Sequence, residues 1–216
     1  MTVTPNKASS KSNSNNLKKD DFPKTAPAAY PVFFRSYSRK TASGKRENWS
    51  EVGERNLNGL KTLGNLSEEE LILMREMQSN QKAQPSGRWL WIGGTPWIKK
   101  NQNFSGAYNC TSTNLIDWEA FALMMDLAMM GCGTGAIIEP HFINKLPTVI
   151  NKINIKSVSE VGVTPKEERE EKSSLEIKGK NIYIKVGDSR RGWVDSYKYL
   201  LEASSNESLE KEVDVY

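Results

Sequence analysis

The sequence predicts an α+β fold that begins with a helical region, because three kinds of pattern follow one another along the chain. Apolar residues first recur at three- and four-residue spacing, which is typical of amphipathic helices. A strand, an apolar helix and a second strand are then expected, followed by short strand patterns between turn signals. Of the 216 residues, 37% are hydrophobic and 26% are charged, the composition of an ordinary globular protein.

Charge and cysteine content exclude several classes of protein. Thirty Lys and Arg residues against 26 Asp and Glu residues give a formal net charge of +4, without the concentrated basic patch of nucleic-acid binding proteins. Two cysteines cannot staple a fold of this size, and the amino end lacks the order of a signal peptide. The most apolar stretch has about ten residues, whereas a bilayer span needs about 20. We therefore expect a cytoplasmic protein with no membrane or nucleic-acid partner.

Composition along the chain predicts three regions. Residues 1–25 are rich in Ser, Asn, Lys and Thr and are expected to form a disordered tail, because they cannot bury enough apolar surface to offset chain entropy. Residues 26–83 are expected to form the helical amino-terminal region. Residues 84–216 carry the mixed pattern of strands and helices.

Two helix starts stand out in the helical region. Apolar residues recur at helical spacing from Asn48 or Ser50 to just before Gly64, a typical C-terminal stop. Ser67 and Glu70 have the spacing of a capping box, so a second helix is expected to begin there.

The mixed region predicts a strand, a helix and a second strand. The segment 84–97 contains PSGRWLWIGGTPW, in which turn residues bound a short apolar run typical of a strand. Asp117 is expected to cap a helix that reaches about Met130 and is apolar nearly all round, so this helix should be covered on every side. Residues 136–138 should form a buried strand after it.

The last part of the chain predicts three strands and a final helix. The strands are expected at 153–160, 174–178 and 181–186. Gly179 and Lys180 are expected to join the last two in a hairpin, and Asp188 or Ser189 begins the helix. Residues 213–216 alternate like a strand whose pairing partners would lie beyond it, so we expect an incomplete architecture.

Cys110 is the residue best suited to chemistry. It lies in a stretch of small and polar residues before a capped helix, where backbone donors make a thiol easier to ionise. A buried, inert cysteine is the simpler alternative, and Cys132 is expected to be of that kind. Spacing does not exclude a disulfide between the two cysteines, although a reducing cytoplasm argues against one.

Other candidate motifs are weaker. The glycine-rich segment 131–135 follows a helix and precedes a strand, the reverse of the order in nucleotide-binding loops. Its small residues are expected to permit close backbone approach, either in packing or to a bound substrate. His141 is the single histidine and has no companion at zinc-ligand spacing. The clustered tryptophans are expected to be core anchors: Trp89, Trp91 and Trp97.

Four motifs, taken in order, resemble a known family. They are QPSGRWLWIGGTPW at 84–97, YNCTST at 108–113, MMDLAMMGCGTGA at 124–136 and GDSRRGWVD at 187–195. Over about residues 28–216, the chain resembles the amino-terminal portion of an adenosylcobalamin-dependent class II ribonucleotide reductase of the ribonucleoside-triphosphate type. The resemblance implies that residues 84–216 are the beginning of a truncated, incomplete ten-stranded α/β barrel.

The resemblance also implies a chemistry and a set of site residues. In this family a cobalamin-generated thiyl radical abstracts hydrogen from the ribose, and a cysteine pair supplies the electrons. Cys110 matches the first cysteine of that redox pair, and its partner cysteine would lie outside this chain. Ser86, Asn109 and Gly133 match positions that line the substrate. Asp117 matches an acidic position near the deoxynucleotide effector site, although N-capping explains Asp117 equally well.

The implied ligands and partners follow from the same family. They are adenosylcobalamin as the cofactor of the complete enzyme, a ribonucleotide substrate, a deoxynucleotide effector, a thioredoxin-like reductant and, if the gene is split, the remaining reductase chain. Gln84 departs from the threonine that is frequent at its position.

Length is the main departure from the family. Its members are several times longer, and the thiyl-forming cysteine, the triphosphate-binding loop and the carboxy-terminal cysteine pair have no counterpart here. Because radical chemistry needs these groups in one pocket, we expect an enzyme fragment that is inactive alone. The alternatives are a nonenzymatic nucleotide- or reductase-binding remnant and a decayed product that does not fold.

Overall fold

The computed structural model describes residues 21–157, 160 and 162–216. The chain divides into two compact units, the first ending at Thr95 and the second beginning at Pro96. Mixed helices and strands in the described ranges confirm the α+β class. The ten-stranded barrel stays a prediction.

The last residues of the predicted tail, 1–25, make ordered contacts. Residues 1–20 lie outside the described residues. Phe22 is buried, and the Asp21 carboxylate accepts hydrogen bonds from the backbone N–H groups of Trp49 (2.9 Å) and Ser50 (2.8 Å). The prediction is therefore wrong for residues 21 and 22, because one aromatic ring and one carboxylate fix this segment to the start of a helix.

The first unit is helical, as predicted. A 3-10 turn at Pro27–Ala29 precedes four helices: α1 (Tyr30–Ser36), α2 (Trp49–Leu63), α3 (Glu68–Ser79) and α4 (Gly87–Ile92). Asn48 caps α2 and Ser67 caps α3, each in a capping box. Both predicted helix starts are confirmed.

Helix α4 corrects the strand predicted within 84–97. The Ser86 hydroxyl accepts a hydrogen bond from Trp89 N–H at 3.3 Å and so caps a helix start. A short apolar run fits a strand and a buried helix equally well by periodicity, and here the cap decides for the helix. Trp89 is buried, whereas Trp91 is 44% exposed, so the prediction that Trp91 anchors the core is wrong.

The first unit is stabilised by a cluster of mainly aromatic side chains and by an ion pair between Arg55 and Glu47. Its buried cluster is Phe22, Phe33, Trp49, Val52 and Leu90. Beside it, Arg55 Nε donates to Glu47 Oε1 at 2.8 Å. The same guanidinium donates to the carbonyls of Gly93 (2.5 Å) and Leu90 (3.2 Å). Arg55 thereby fixes the end of α4 against α2.

The second unit contains two sheets. A 3-10 helix at Asn101–Ala107 precedes β1 (Cys110–Asn114), α5 (Trp118–Met129), β2 (Gly133–Ile137), α6 (Pro140–Ile143), β3 (Lys152–Ile155), a 3-10 turn (Lys166–Glu168), β4 (Ser174–Lys178), β5 (Asn181–Lys185), α7 (Arg190–Ser205) and β6 (Glu212–Val215). Strands β1 and β2 pair in parallel, and the larger sheet has the order β3-β6-β5-β4. Strand β6 runs parallel to β3 and β5, whereas β4 is antiparallel to β5.

The predicted hairpin and final helix are confirmed. Strands β4 and β5 are joined by Gly179 and Lys180, and Gly179 has a φ of +58°, as a two-residue turn with glycine in first position requires. Ser189 caps α7 by accepting a hydrogen bond from Gly192 N–H at 2.9 Å. Helix α7 covers a core formed by Ile182, Ala203, Val213 and Val215.

Strand β6 is not the unpaired strand that residues 213–216 were expected to form. It lies between β3 and β5 and pairs with both, and Val213 is fully buried. The partners therefore precede β6 in this chain. The strand predicted at 153–160 ends at Ile155, and residues 158 and 159 lie outside the described residues.

The first sheet is more open than predicted. Ala136 and Ile138 are exposed, so the expectation of a buried strand at 136–138 is wrong. Helix α5 likewise leaves Leu123 and Met129 exposed. One helix covers only one face of a two-stranded sheet, so residues of β2 stay exposed. Two strands are also too narrow to cover every side of an apolar helix, so part of α5 stays exposed.

Within the described ranges, no helix combines the length and the apolar character needed to cross a bilayer.

Candidate functional site

Three of the predicted site residues meet where β1 and β2 begin. The parallel register places Cys110 beside Gly133. One residue earlier, the Asn109 carbonyl accepts a hydrogen bond from Gly133 N–H at 2.8 Å. Asn109, Cys110 and Gly133 are all exposed. A thiol, an amide and a bare stretch of backbone thus share one accessible edge.

Gly133 keeps the space beside the thiol open. A Cβ at this position would lie 3.3 Å from Cys110 Sγ, closer than most such contacts. The close approach of the two strands therefore favours glycine here. This agrees with the expectation that small residues in the segment 131–135 permit close backbone approach.

The surrounding face is polar and exposed. Alternate residues of a strand point to the same side of a sheet, so Cys110, Ser112 and Asn114 share a face with Gly133 and Gly135. These five residues are all exposed. The arrangement offers hydrogen-bonding groups and one thiol around a glycine floor, which suits a polar ligand lying on the backbone.

The two cysteines have opposite environments. Cys110 is exposed and Cys132 is buried, and both are free thiols. Cys132 packs with Leu127 and Met130, and its Sγ lies 3.2 Å from the Tyr108 carbonyl oxygen. The expected burial of Cys132 is confirmed, whereas the simpler alternative of a buried Cys110 is wrong.

Asp117 has a structural role. Its carboxylate accepts a hydrogen bond from Ala120 N–H at 2.8 Å and caps α5. N-capping of a helix by aspartate is a common stabilising contact. A role near an effector site stays a prediction.

Ser86 belongs to the first unit, whereas the other predicted site residues belong to the second. Ser86 is exposed and caps α4. Nearby, Gln84 Nε2 donates to the Gln78 carbonyl at 2.7 Å. The substrate role of Ser86 stays a prediction.

His141 lies apart from these residues. It is exposed, and its Nδ1 lies 3.4 Å from Glu139 Oε2. Over the described residues, no group of three or more His, Cys, Asp or Glu side chains is arranged to hold a metal ion.

A buried ion pair supports the helix that carries the sheet, and sequence reasoning missed it. Asp126 in α5 is 9% exposed, and Arg190 Nη1 donates to its Oδ1 at 2.7 Å. Arg190 Nη2 donates to Asn103 Oδ1 at 2.9 Å. The sequence did contain a signal for this ion pair. Asp126 is the carboxylate within an otherwise apolar helical segment, and the motif at 187–195 offers two arginines as partners.

A second pair links the same two helices. Lys198 in α7 donates a short hydrogen bond to Glu119 in α5. That hydrogen bond raises the pKa of Lys198, although burial opposes the shift. Helix α5 contacts β1 and β2 on one hand and α7 on the other. The two ion pairs between α5 and α7 therefore connect the strands of the candidate site to the helix that covers the larger sheet.

The described residues of the first unit line small cavities. A cavity of about 120 Å³ is lined by residues of α2 and α3, including Trp49, Gly53 and Gln78. Another, of about 280 Å³, is lined by Phe22, Tyr30 and neighbouring prolines and Lys24. Both are smaller than the roughly 300–1,000 Å³ of typical small-molecule pockets.

Comparison of sequences identifies similar proteins. The chain is 25% identical over 232 residues to the adenosylcobalamin-dependent ribonucleoside-triphosphate reductase of Lactobacillus gasseri, covering 88% of this chain and 31% of that protein. It is 27% identical over 223 residues to the reductase of the same description from Lactobacillus helveticus, covering 82% and 29%. The chain therefore spans about a third of the length of these curated relatives.

Comparison of structures gives a similar fold. A crystal structure of a B12-dependent class II ribonucleotide reductase matches with a TM-score of 0.56 and 22% sequence identity. The match covers 86% of this chain and 31% of that one. No protein-family model matches the chain.

Proposed function

We propose that this chain, which resembles adenosylcobalamin-dependent ribonucleoside-triphosphate reductases in sequence and a class II reductase in fold, works as one part of such a reductase. Its contribution is one redox cysteine and part of the substrate wall. The observation that carries the proposal is the exposed Cys110 thiol beside the bare backbone of Gly133.

The proposed role of Cys110 is that of an electron donor. Reduction of a ribonucleotide to a deoxyribonucleotide replaces the 2′-hydroxyl by hydrogen and releases water, which takes two electrons and two protons. A pair of thiols supplies both and becomes a disulfide. Cys110 is one sulfur of that pair, and the second lies outside this chain. Exposure suits this role because both the substrate and a second thiol must reach Cys110.

The proposed substrate wall in the second unit is formed by Asn109 and Gly133. A substrate contact by Ser86 is a separate proposal for the first unit. The Asn109 carbonyl is already bonded to Gly133 N–H, so its exposed side chain is the group offered to a ligand. Gly133 lets the nucleotide approach the backbone closely. Asp117 is proposed as a neighbour of the deoxynucleotide effector.

The two cavities of the first unit described above do not fit the cofactor of the relatives. Neither cavity in the first unit, at about 120 and 280 Å³, reaches the size of typical small-molecule pockets, and a corrin exceeds most small ligands. We propose that the remaining reductase chain holds adenosylcobalamin and the radical-forming cysteine, and that a thioredoxin-like protein restores the dithiol. The isolated chain is then inactive.

Complementation tests this proposal. The chain is mixed with a second polypeptide that contains the rest of a reductase, taken from the Lactobacillus gasseri relative. Reduction of a ribonucleoside triphosphate is measured with adenosylcobalamin and a dithiol. Activity is expected only when both chains are present. If the full-length relative is active and the mixture is not, the split-enzyme role is wrong, and deoxynucleotide binding by the inactive chain would favour a binding remnant.

A further inference from the structure

A short helical segment leads directly into Cys110. It comprises residues 101–109 and begins with the 3-10 helix Asn101–Ala107. We call it the approach segment. Runs of 3-10 helix longer than three or four residues are uncommon, because their hydrogen-bond geometry is poor. Side-chain contacts are therefore needed to hold the approach segment in one position, and with it the start of β1 at Cys110.

Arg190 at the start of α7 binds the first half of the approach segment. Its Nη2 donates to Asn103 Oδ1 at 2.9 Å and to the Gln102 carbonyl at 3.2 Å. Asn103 is 5% exposed, and its Nδ2 donates to the Trp97 carbonyl at 3.0 Å, so both ends of its amide are bonded. The Nη1 of Arg190 donates to Asp126 Oδ1 at 2.7 Å. One guanidinium thus joins the approach segment to α5 and α7.

The second half of the approach segment is held against the start of β2. Cys132 Sγ lies 3.2 Å from the Tyr108 carbonyl oxygen, and the Asn109 carbonyl accepts a hydrogen bond from Gly133 N–H at 2.8 Å. These contacts fix where Cys110 enters the strand pair, opposite Gly133. Of the two, only the second is a strong hydrogen bond, since a thiol is a weak donor. The position of the Cys110 thiol therefore also depends on how the first half of the segment is held.

We propose that Arg190 is a positioning residue for the Cys110 thiol. It acts through Asn103 and Gln102, which fix the approach segment, and the segment in turn fixes the Cys110 backbone beside Gly133. The inference rests on the proposed redox role of Cys110, because its position matters to turnover only if the thiol must meet a substrate and a second sulfur. A misplacement of about 1 Å can lower the rate of such a reaction about a hundredfold.

Arginine suits this role better than lysine. Its planar fork carries donors on separate nitrogens, so Nη1 of Arg190 pairs with Asp126 while Nη2 bonds to Asn103 and Gln102. The Arg190 side chain is 21% exposed, so these contacts are largely shielded from water. A lysine ammonium is a single point of charge, which can keep the ion pair but not the whole set of contacts. Substitution can therefore separate the ion pair from the contacts to the approach segment.

Hydrogen exchange of the full chain tests the positioning. Arg190→Lys keeps a cation opposite Asp126 but releases the approach segment, so the Gly133 amide is expected to exchange about tenfold faster. Its rate is compared with that of the Asp214 amide, which donates to the Lys180 carbonyl at 3.0 Å in the larger sheet. Because a general loss of stability accelerates both amides, only a change in their ratio reports the release of the segment.

Arg191→Lys is the matched control. Arg191 follows Arg190 on α7, its side chain is 55% exposed, and it pairs with Asp195 at 3.0 Å. This variant is expected to leave the ratio of the two exchange rates unchanged. An unchanged ratio in Arg190→Lys would overturn the proposal, as would an equal change in both variants.

Turnover by the complemented assembly is the second measurement. Asn103→Ala removes the side-chain acceptor that Arg190 uses on the approach segment. Arg190→Lys, Asn103→Ala and the double variant are therefore each expected to lower kcat about tenfold, since all three release the same segment. Additive losses in the double variant would show that Arg190 does not act through Asn103 and would overturn the proposal. If the wild-type assembly has no activity, the redox role fails, while hydrogen exchange still decides whether Arg190 fixes the segment.

Discussion

The two sheets of the second unit divide stability and chemistry between them. In the larger sheet, Ile182 and Val213 are fully buried beneath α7. In the smaller sheet, every residue of β1 and β2 is exposed or half-buried, and Cys110 stands at its open edge. A reactive thiol must be accessible, so the smaller sheet buries little apolar surface. The stability of the unit therefore depends mainly on the core of the larger sheet and on the contact between α5 and α7.

The largest expected effect is in the larger sheet. Ile182→Ala removes a fully buried side chain from β5 and leaves a cavity, so we expect a loss of about 3 kcal/mol in the free energy of unfolding. Thr113→Ala in the half-buried position of β1 is the control, with a loss of about 0.5 kcal/mol. Urea denaturation measures both, and equal losses would contradict the division between the sheets.

The next effect is at the contact that joins the two sheets through their helices. Asp126→Ala leaves Arg190 without its carboxylate, where the two side chains are 13% and 21% exposed. Removing one partner of such a pair is expected to cost about 2 kcal/mol. Glu119→Ala, which breaks the outer α5–α7 pair, should cost less than about 1 kcal/mol because Glu119 is 60% exposed. An inverted order in urea denaturation would show that Asp126 does not carry the contact.

The next prediction concerns access to the Cys110 thiol, where we expect a change in reaction rate rather than in stability. Gly133→Ala places a Cβ 3.3 Å from Cys110 Sγ, so we expect Cys110 to react several times more slowly with a disulfide reagent such as Ellman's reagent. Gly135→Ala is the matched control, because its Cβ would approach the Thr111 carbonyl at 3.3 Å instead. Equal rates for the wild type and both variants would mean that Gly133 does not govern access.

The smallest effect concerns acid stability of the larger sheet. Burial opposes ionisation of Asp214, but Lys156 (3.2 Å) and Lys180 (3.8 Å) hold its pKa below the ordinary value. The unfolded chain therefore takes up this proton first, at about pH 4, and the stabilisation is lost as the pH falls through the lower, folded-state pKa. Asp214→Asn should make the free energy of unfolding fall less steeply below about pH 4. An unchanged slope would exclude this contribution.

Sequence patterns predicted the elements whose signals are local. The helix starts at Asn48 and Ser67 and the turn at Gly179 depend on residues within a few positions, so apolar spacing, one capping box and one glycine identify them without the fold. Strand β6 could not be placed in the same way, because its partners β3 and β5 are set by pairing across the chain. The apolar run in α4 was ambiguous for a related reason, since both a strand and a helix can bury it.

The candidate site shows the same limit. The motif at 108–113 predicted Cys110, but the register that brings Gly133 beside it is a property of the strand pair. The Arg190–Asp126 contact joins residues 64 positions apart. A motif names such residues without revealing that they meet, so their supporting role required the structure.

The most direct test of the central claim compares the two cysteines in the complemented assembly. Turnover of a ribonucleoside triphosphate with adenosylcobalamin and a dithiol is measured for Cys110→Ser and for Cys132→Ser. We predict that Cys110→Ser abolishes turnover, because the exposed thiol can no longer form a disulfide, while Cys132→Ser remains active. Equal rates for the wild type and Cys110→Ser would contradict the redox role of Cys110.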